Sequence, residues 1–367
     1  MVKNFLLGLV IFMFAMNIVC AYEEDDDIIR AEVLKVEDYN NSGVTTRAVN
    51  VKILEGKYKN KGVNIEYIPV KYSANSYELK RGSKVFIKLK FLENGQVTAN
   101  IINVSREGHL KTLGIIFLAV VILFGGIKGV LSMTSLGVTG LVMVKMMIPM
   151  IVNGHSPILV SIMSTIIIIL ISFILISGFT RKSLVAIIGT VGGTITAGIL
   201  AKVFTDLCSI TGLVSEEVNF LITYMNAAID YKGLYLSGVL IGAIGVVMDV
   251  SMSITSMVFE IKSQNPNARF TDLMRSGLKV GRDIMATMVN TLILAYVGGS
   301  MPILLVFHFM KMPVSRLVSM EILSTEIIRS LCGSIGLILT IPLTSIAASI
   351  MVPNMRAKRK IYKYRRS

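Results

Sequence analysis

The chain has 367 residues, a formal net charge of +14, and 53% hydrophobic against 16% charged residues. A soluble globular domain carries about a quarter charged residues, so this composition, with a mean hydropathy of +0.69, excludes an ordinary water-soluble protein. Apolar runs of about 18 or more residues recur, which is typical of membrane-spanning helices. The excess positive charge lies in short connections and in the C-terminal sequence, so it indicates membrane orientation rather than a nucleic-acid partner.

Residues 1–21 have the pattern of a secretory signal peptide. Lys3 precedes an apolar stretch, Val19 and Ala21 supply small residues at positions −3 and −1, and an acidic run follows. We predict that this segment is cleaved. An uncleaved first span is the alternative.

Residues 22–108 are predicted to form a small extracytoplasmic β-domain. Five segments alternate polar and apolar residues at the period of a strand: 30–37, 49–54, 63–68, 84–92 and 97–104. Five short strands in about 80 residues favour a barrel-like sheet, closed or half-closed, and the oligonucleotide/oligosaccharide-binding (OB-like) barrel is one such form. Aromatic and basic residues do not interleave as in a nucleic-acid binder. The expected role is therefore to bind an envelope protein or to pack on the membrane part.

Residues 109–352 are predicted to form a membrane-embedded α-helical bundle. Seven apolar segments have spanning length: 111–130, 133–152, 157–178, 184–205, 233–257, 284–307 and 327–350. If the β-domain lies outside, Lys and Arg concentrate in the inner connections and in the basic tail, residues 353–367. We therefore predict a multi-pass membrane protein, with the N-terminal domain outside and the tail in the cytoplasm.

Two connections between the spans are predicted to be helical. Ser215 precedes two Glu residues, as an N-cap does, so a short surface helix is expected within residues 215–230. Residues 270–282 separate apolar from charged positions at helical spacing. This pattern predicts an interfacial helix on the inner membrane surface, leading into the sixth span.

Small residues recur every four positions on two of the predicted spans. The fourth span carries Gly189, Gly193, Ala197 and Ala201, and the fifth carries Gly238 and Gly242. This spacing lets helix backbones approach closely, so both sets are expected to serve helix packing.

Asp249 is a carboxylate within an otherwise apolar run of the fifth span. On a helix it shares one face with Ser253, Ser256 and Glu260, at i, i+4, i+7 and i+11. The sixth span carries a second polar set, Asp283, Thr287, Asn290 and Thr291. Asp249 and Asn290 are expected roughly 15 and 10 Å from the inner ends of their helices. The pattern predicts a hydrophilic crevice open to the cytoplasm.

Lys145 is the other charge expected within the membrane. An unpaired charge at the bilayer centre costs about 2.5–3.5 kcal/mol, so an ion pair between Lys145 and Asp249 would relieve both groups. A hydrogen bond between membrane helices contributes only about 0.6 kcal/mol, which repays little of that cost. A place on an ion, proton or substrate path is therefore favoured for Asp249, with a purely structural role as the alternative.

Enzyme motifs are absent from the sequence. It has neither the zinc-binding His-Glu-x-x-His motif nor a phosphate-binding loop, and its three His residues are isolated. Cysteines are too few for a disulfide framework or a metal cluster. We expect no enzymatic activity, no catalytic residue, no metal and no cofactor.

The segments GAIGVVMDVSMSITSMVFEI and SGLKVGRDIMATMVNTLILAYVGG resemble the YibE/F family of bacterial multi-pass membrane proteins. The stretch ILEGKYKNKGVNIE resembles the N-terminal part of that family. The resemblance implies an external β-domain followed by plasma-membrane helices, and it supplies no mechanism. Its two signature segments contain Asp249, Arg282, Asp283, Thr287 and Asn290.

The sequence favours a transporter or permease for an ion or small solute. The predicted path is lined by Asp249, Ser253, Ser256, Thr287 and Asn290, with Lys145 as the counter-charge. Glu260, Arg282 and Asp283 are predicted to gate or anchor the inner mouth. The alternative is a non-transporting scaffold or sensor whose β-domain binds an envelope partner. The lipid bilayer is a partner in either case, and an oligomer is compatible with both.

Overall fold

A computed structural model describes residues 28–353, with gaps at 42–43, 57, 68–78, 92–96 and 226–228. The predicted signal peptide at 1–21 and nearly all of the predicted basic tail lie outside the described residues. The described chain divides into two compact units, which meet in sequence between Gly126 and Ile127.

The N-terminal unit contains a five-stranded antiparallel sheet. Its strands are β1 (Ile28–Asn41), β2 (Val44–Ile53), β3 (Gly62–Tyr67), β4 (Lys84–Phe91) and β5 (Val97–Val104). The order across the sheet is β3-β2-β1-β4-β5, so the long strand β1 pairs with β2 and with β4. Because the edge strands β3 and β5 lie beside each other, the sheet curls into a half-barrel. All five predicted strands are confirmed, and β1 is longer than predicted.

Strand alternation explains the core of this unit. Val33, Val49, Val51, Val85 and Ile87 are fully buried on one side of the sheet, while the alternate residues Asn50 and Phe86 lie on the other side and are partly exposed. Burial of each such side chain stabilises the fold by about 1.5–3 kcal/mol.

An ion pair on the polar side of the sheet joins β1 to β2. The Arg47 guanidinium donates to the two carboxylate oxygens of Asp38 at 2.6 and 2.7 Å. These two residues are directly opposite in the strand register. The hydrogen bond from Arg47 holds the pKa of the Asp38 carboxyl below its usual range.

The described residues after the sheet are mostly helical. The helices are α1 (Glu107–Val142), α2 (Ile148–Val152), α3 (Pro157–Ser177), α4 (Arg181–Leu207), α5 (Glu216–Met225), α6 (Tyr231–Gln264), α7 (Phe270–Gly299), α8 (Met301–Met310), α9 (Val314–Val318) and α10 (Glu321–Met351), with a π-helical turn, Met143–Met147, between α1 and α2. The predicted surface helix is α5, and Ser215 Oγ accepts a hydrogen bond from the Val218 N–H at 3.2 Å.

Six stretches of the described chain are long and apolar enough to cross a membrane, against seven predicted spans. The difference arises because the predicted spans 111–130 and 133–152 join into one helical stretch, Glu107–Val152. Its backbone leaves helical geometry at Gly126, where φ is 54° and ψ is −135°. Glycine adopts this left-handed conformation without the steric cost that a Cβ would impose.

The region of the predicted sixth span also differs from the expectation. The predicted interfacial helix 270–282 and the predicted span 284–307 are replaced by one helix, α7, which ends at Gly299. The Asp272 carboxylate accepts a hydrogen bond from the Arg269 N–H at 3.1 Å and so caps the N-terminus of the helix. Two consecutive glycines and then Pro302, which lacks an N–H, favour the break before α8.

The closest helix contact in the C-terminal unit lies between α4 and α10. A Cβ added at Gly193 would overlap Thr340 Oγ1 and would lie 2.9 Å from the Gly336 carbonyl oxygen. Ala197 and Ala201 continue the same face of α4 and are fully buried. The predicted packing role of the small residues on this helix is confirmed.

Polar contacts show which helix ends lie together. At one end, Lys262 Nζ donates to the Ala268 carbonyl at 2.9 Å, and Lys182 Nζ lies 5.7 Å from the Phe259 ring centroid. At the opposite end, Glu321 Oε1 accepts from the Thr211 and Gly212 N–H groups at 2.6 and 3.0 Å. We call these the basic end and the loop end of the bundle.

We predict that Gly193→Ala lowers the free energy of unfolding by about 1–3 kcal/mol, because the new methyl group overpacks the contact with α10. The matched control is Gly245→Ala, where an added Cβ meets no atom within 4 Å. That control should gain up to about 1 kcal/mol from helix propensity. Thermal unfolding in detergent, followed by circular dichroism, measures both variants. Equal melting temperatures would contradict the packing role.

We also predict that the stretch Glu107–Val152 crosses the membrane twice and reverses at Gly126. Its 46 residues would extend roughly 69 Å as one straight helix, more than twice the hydrocarbon thickness of about 30 Å. Single cysteines at Lys59, Lys128 and Asn153, in a background without native cysteine, would be labelled in intact cells with a membrane-impermeant reagent. Positions 59 and 153 should react from outside, and position 128 only after permeabilisation. Labelling of 59 and 153 from opposite sides would show a single crossing.

Candidate functional site

Helix α6 has two contrasting faces. Its buried face, with Val247, Val250, Ile254 and Val258, packs in the largest apolar cluster of the bundle. The opposite side, which we call the α6 polar face, repeats at spacings of three and four residues: Tyr231, Tyr235, Gly238, Gly242, Gly245, Asp249, Ser253, Ser256 and Glu260. The predicted stripe from Asp249 to Glu260 is therefore the inner half of a longer face that runs along nearly the whole helix.

Glycines form the middle of the α6 polar face. A Cβ added at Gly238 or Gly245 would meet no atom within 4 Å, and one added at Gly242 would meet only the Tyr296 hydroxyl, at 2.7 Å. The predicted packing role is therefore confirmed at Gly242, where Tyr296 of α7 approaches the helix closely, but not at Gly238. Gly238 and Gly245 instead leave the face open on either side of that contact.

Asp249 lies exposed on this face rather than inside the helix bundle. Ser253 is exposed beside it, and Ser256 is partly buried. Nearer the basic end, Glu260 Oε1 accepts a hydrogen bond from Gln264 Nε2 at 3.0 Å. Among the residues that the structure describes, Asp249 has no ion pair within 4 Å.

The predicted ion pair between Lys145 and Asp249 is not formed between these two described residues. Lys145 lies in the π-helical turn and is exposed. Pro149 has no N–H to donate to the Lys145 carbonyl four residues earlier, which accounts for a local change to five-residue hydrogen bonding. The Ile148 N–H accordingly donates to the Met143 carbonyl.

Lys145 is turned away from α6. Met147, two residues further along, belongs to an apolar cluster against which Leu234 and Ile241 of α6 pack. Because residues two apart on a helix point to nearly opposite sides, the exposed Lys145 lies on the other side of its helix from this contact.

The polar set on α7 is exposed as well. Thr287 Oγ1 donates to the Ile284 carbonyl and Thr291 Oγ1 to the Thr287 carbonyl, each at 2.9 Å, so both hydroxyls bond within their own helix. Arg282, Asp283 and Asn290 are exposed side chains. Within the described chain, no hydrogen bond or ion pair joins the α7 set to the α6 polar face.

The predicted depths on these helices need correction. Because α6 ends at Gln264 and α7 begins at Phe270, Asp249 lies roughly 22 Å and Asn290 roughly 30 Å from the basic end of the bundle. Within the polar set on α7, Asp283 and Thr287, at roughly 20 and 25 Å, are the residues closest to the depth of Asp249.

A pocket of about 390 Å³ opens at the loop end, where the α6 polar face begins. Tyr231, Leu234 and Tyr235 of α6 contribute to its wall, opposite Glu326 and Arg329 of α10. The Arg329 guanidinium carbon lies 5.5 Å from the centroid of the Tyr235 ring. Sequence reasoning missed this pocket because its wall comes from separate parts of the chain.

Buried hydroxyl groups at the centre of the bundle were also missed. Ser251 Oγ donates to the Ala186 carbonyl at 2.7 Å and lies 3.2 Å from Thr344 Oγ1. Other buried hydroxyls nearby have no hydrogen-bond partner, namely those of Thr190, Thr194, Thr255 and Ser345. In the part of the chain that the structure describes, no group of three or more His, Cys, Asp and Glu residues is placed to hold a metal ion.

The six long apolar helices, with polar residues at both ends of the bundle, define a multi-pass integral membrane protein. Residues 113–354 match the family model described as YibE/F-like protein, and residues 28–104 match the YibE/F family N-terminal domain. The chain therefore belongs to the YibE/F family, as the resemblance in its sequence indicated. No curated protein and no solved structure matches it.

Proposed function

We propose that the protein transports an ion or small polar solute across the membrane along the α6 polar face. One observation carries this proposal: a single face of one helix connects the pocket at the loop end to Glu260 near the basic end. From Tyr231 to Glu260 the face extends roughly 43 Å, which exceeds the hydrocarbon thickness of about 30 Å.

The exposure of Asp249 supports a hydrated path. A carboxylate facing hydrocarbon at mid-membrane costs about 2.5–3.5 kcal/mol, and the helices around it offer no cation to offset that cost. Water along the face removes the cost. Gly238 and Gly245 supply room for that water, because an added Cβ at either position meets no neighbouring atom.

Each polar residue then has a place on the path. Asp249, near the middle of the helix, attracts a cation or accepts a proton, and Ser253 and Ser256 offer hydroxyl oxygens on its inner side. In this proposal Lys145 is the counter-charge, which approaches Asp249 when the path is occupied. Glu260 with Arg282 and Asp283 of α7 forms the inner mouth, and Thr287 and Asn290, which lie deeper than Asp249, line the path. No step requires a catalytic group, a metal or a cofactor.

We place the basic end in the cytoplasm and the loop end outside. Described Lys and Arg residues concentrate at the basic end, which carries Arg181, Lys182, Lys262, Arg269, Arg275, Lys279 and Arg282. The loop end carries the acidic residues Asp206, Glu216, Glu217, Asp230, Glu321 and Glu326 in addition to its basic ones. With this orientation the β-domain is external and available to an envelope partner.

A scaffold or sensor is the second candidate, and the same exposed face favours it. An unpartnered stripe with glycine at its centre also suits close contact with a helix of another chain. In that case the face would be dry, and Asp249 would be paired or hydrogen-bonded across the interface.

Cysteine labelling distinguishes a hydrated face from a dry one. In a background without native cysteine, Ser253→Cys and Gly245→Cys should react with a negatively charged, membrane-impermeant methanethiosulfonate reagent. The lipid-facing control is Ile195→Cys, an exposed position in the middle of α4. Because the thiolate is the reactive form and needs a hydrated surrounding, we expect the path positions to react at least about tenfold faster. Equal rates at all three positions would argue against a hydrated path.

The same variants test the scaffold. If a second copy covers the α6 polar face, oxidation should link Ser253→Cys chains into disulfide dimers, and the reagent should be excluded. Disulfide dimers together with slow labelling would show that the α6 polar face is an interface between two copies of the chain, and this result would rule out the transport proposal.

Asp249→Asn should abolish ion-coupled flux while leaving the fold intact, because it removes the charge and keeps the side-chain shape. Proteoliposomes loaded with a pH-sensitive dye, and separately with dyes for sodium and potassium, report the flux under imposed gradients. Glu217→Gln, on the surface helix α5, is the matched control and should behave as wild type. Wild-type protein that passes none of these ions, with Asp249→Asn only less stable, would indicate a structural aspartate.

A further inference from the structure

We propose that the pocket at the loop end binds a small solute that carries a carboxylate on an apolar body. This inference rests on the proposed transport function and specifies the class of solute that enters the path. The cavity of about 390 Å³ lies within the range of roughly 300–1,000 Å³ typical of small-molecule sites.

Arg329 supplies the recognition group. Its Nη2 lies 3.7 Å from Glu326 Oε1, which is too long for a hydrogen bond, and its buried Nε has no hydrogen-bond partner. The Arg329 side chain is 29% exposed, so the accessible part of its guanidinium can take a ligand. A carboxylate bonded to Nη2 would form the charge-assisted hydrogen bond that Glu326 does not form at 3.7 Å.

The tyrosine beside Arg329 fixes how a ligand can approach. Because the Tyr235 ring covers one face of the guanidinium, ligands are directed to its edges. Tyr235 Oη donates to the Thr325 carbonyl at 2.7 Å, so the ring is held in place. Glu321 holds the loop at Thr211 and Gly212 through three hydrogen bonds. These contacts pre-form the pocket and reduce the ordering cost of binding.

The remaining wall selects for an apolar body. It is formed largely by hydrophobic side chains, including Val214, Val218, Leu234, Ile303 and Ile322. Such a wall offers few partners to a hydrated inorganic ion. It favours an organic solute whose chain replaces water along these residues.

The charges favour a monoanion over phosphate. Arg329 is the cation in the wall, and Glu326 lies beside it, so a dianion would gain one attraction and meet one repulsion. A carboxylate matches the single positive charge. A monoanionic ligand also replaces the weak contact between Arg329 and Glu326. Unlike a dianion, it brings no second negative charge that would remain unpaired.

The test measures thermal unfolding of the purified full chain in detergent with three probes: hexanoate, its neutral analogue hexanamide, and inorganic phosphate. Hexanoate should raise the melting temperature of the wild type in a concentration-dependent manner, and hexanamide and phosphate should not. Arg329→Gln should lose the response to hexanoate. Glu326→Gln should strengthen it, because the competing carboxylate is gone.

Ile303→Trp serves as a second variant if Arg329→Gln does not fold. It fills the pocket without a change of charge, and it should also lose the response to hexanoate. Equal stabilisation by hexanoate and hexanamide, or a larger shift with phosphate, would overturn the proposal. So would the absence of any shift in the wild type.

Asp249→Asn separates this inference from the transport proposal. It should keep the full hexanoate response, because Tyr235 and Asp249 are roughly 21 Å apart along α6. Slow cysteine labelling of the α6 polar face together with an intact hexanoate response would indicate a binding pocket in a protein that does not transport. Fast labelling of the face without any hexanoate response would indicate a transport path for a different solute.

Discussion

The architecture of the membrane part depends on the contact between the α4 and α10 backbones. Helices in lipid gain little from the hydrophobic effect, so close packing and interhelical hydrogen bonds must hold them together. Gly193 and Gly336 permit that approach, since a side chain at either position would collide with the opposite helix. Helix α6 packs across both partners, and Ser251 bonds to α4 while lying beside α10. One face of α6 is therefore buried against these two helices, and the opposite face, with Asp249, is exposed.

Regular periodicity explains what the sequence predicted well. The strands alternate at a period of two over a buried valine row, and the small residues of α4 recur at four, so both patterns identify the face that packs. The stripe from Asp249 to Glu260 was found for the same reason. Its continuation through Gly245, Gly242 and Gly238 was not recognised, because glycine at this spacing is typical of helix packing. The structure separates the positions: Tyr296 of α7 lies close to Gly242, whereas no atom lies near Gly238 or Gly245.

Features that depend on tertiary placement could not be predicted in this way. The pocket around Arg329 joins α6, α7, α10 and a loop that are far apart in sequence, and no local pattern relates them. The expected pair between Lys145 and Asp249 rested on the cost of two unpaired charges in the membrane, whereas an ion pair also requires the two side chains to point toward each other. Lys145 lies in a π-helical turn before Pro149, which the sequence pattern did not predict. Likewise, two apolar segments predicted two separate spans, but their connection at Gly126 is helical on both sides.

In the proposed transport path, two fixed charges of opposite sign impose an order of events. A carboxylate solute would be attracted by Arg329 at the loop end, but further along the α6 polar face it would have to pass Asp249. Two like charges about 5 Å apart repel by about 3 kcal/mol at an effective dielectric constant of 20, which would slow passage more than a hundredfold. A proton or cation at Asp249 would remove this barrier. The two proposals together therefore require that electrostatics couple solute movement to the occupancy of Asp249, even though the two sites share no contact.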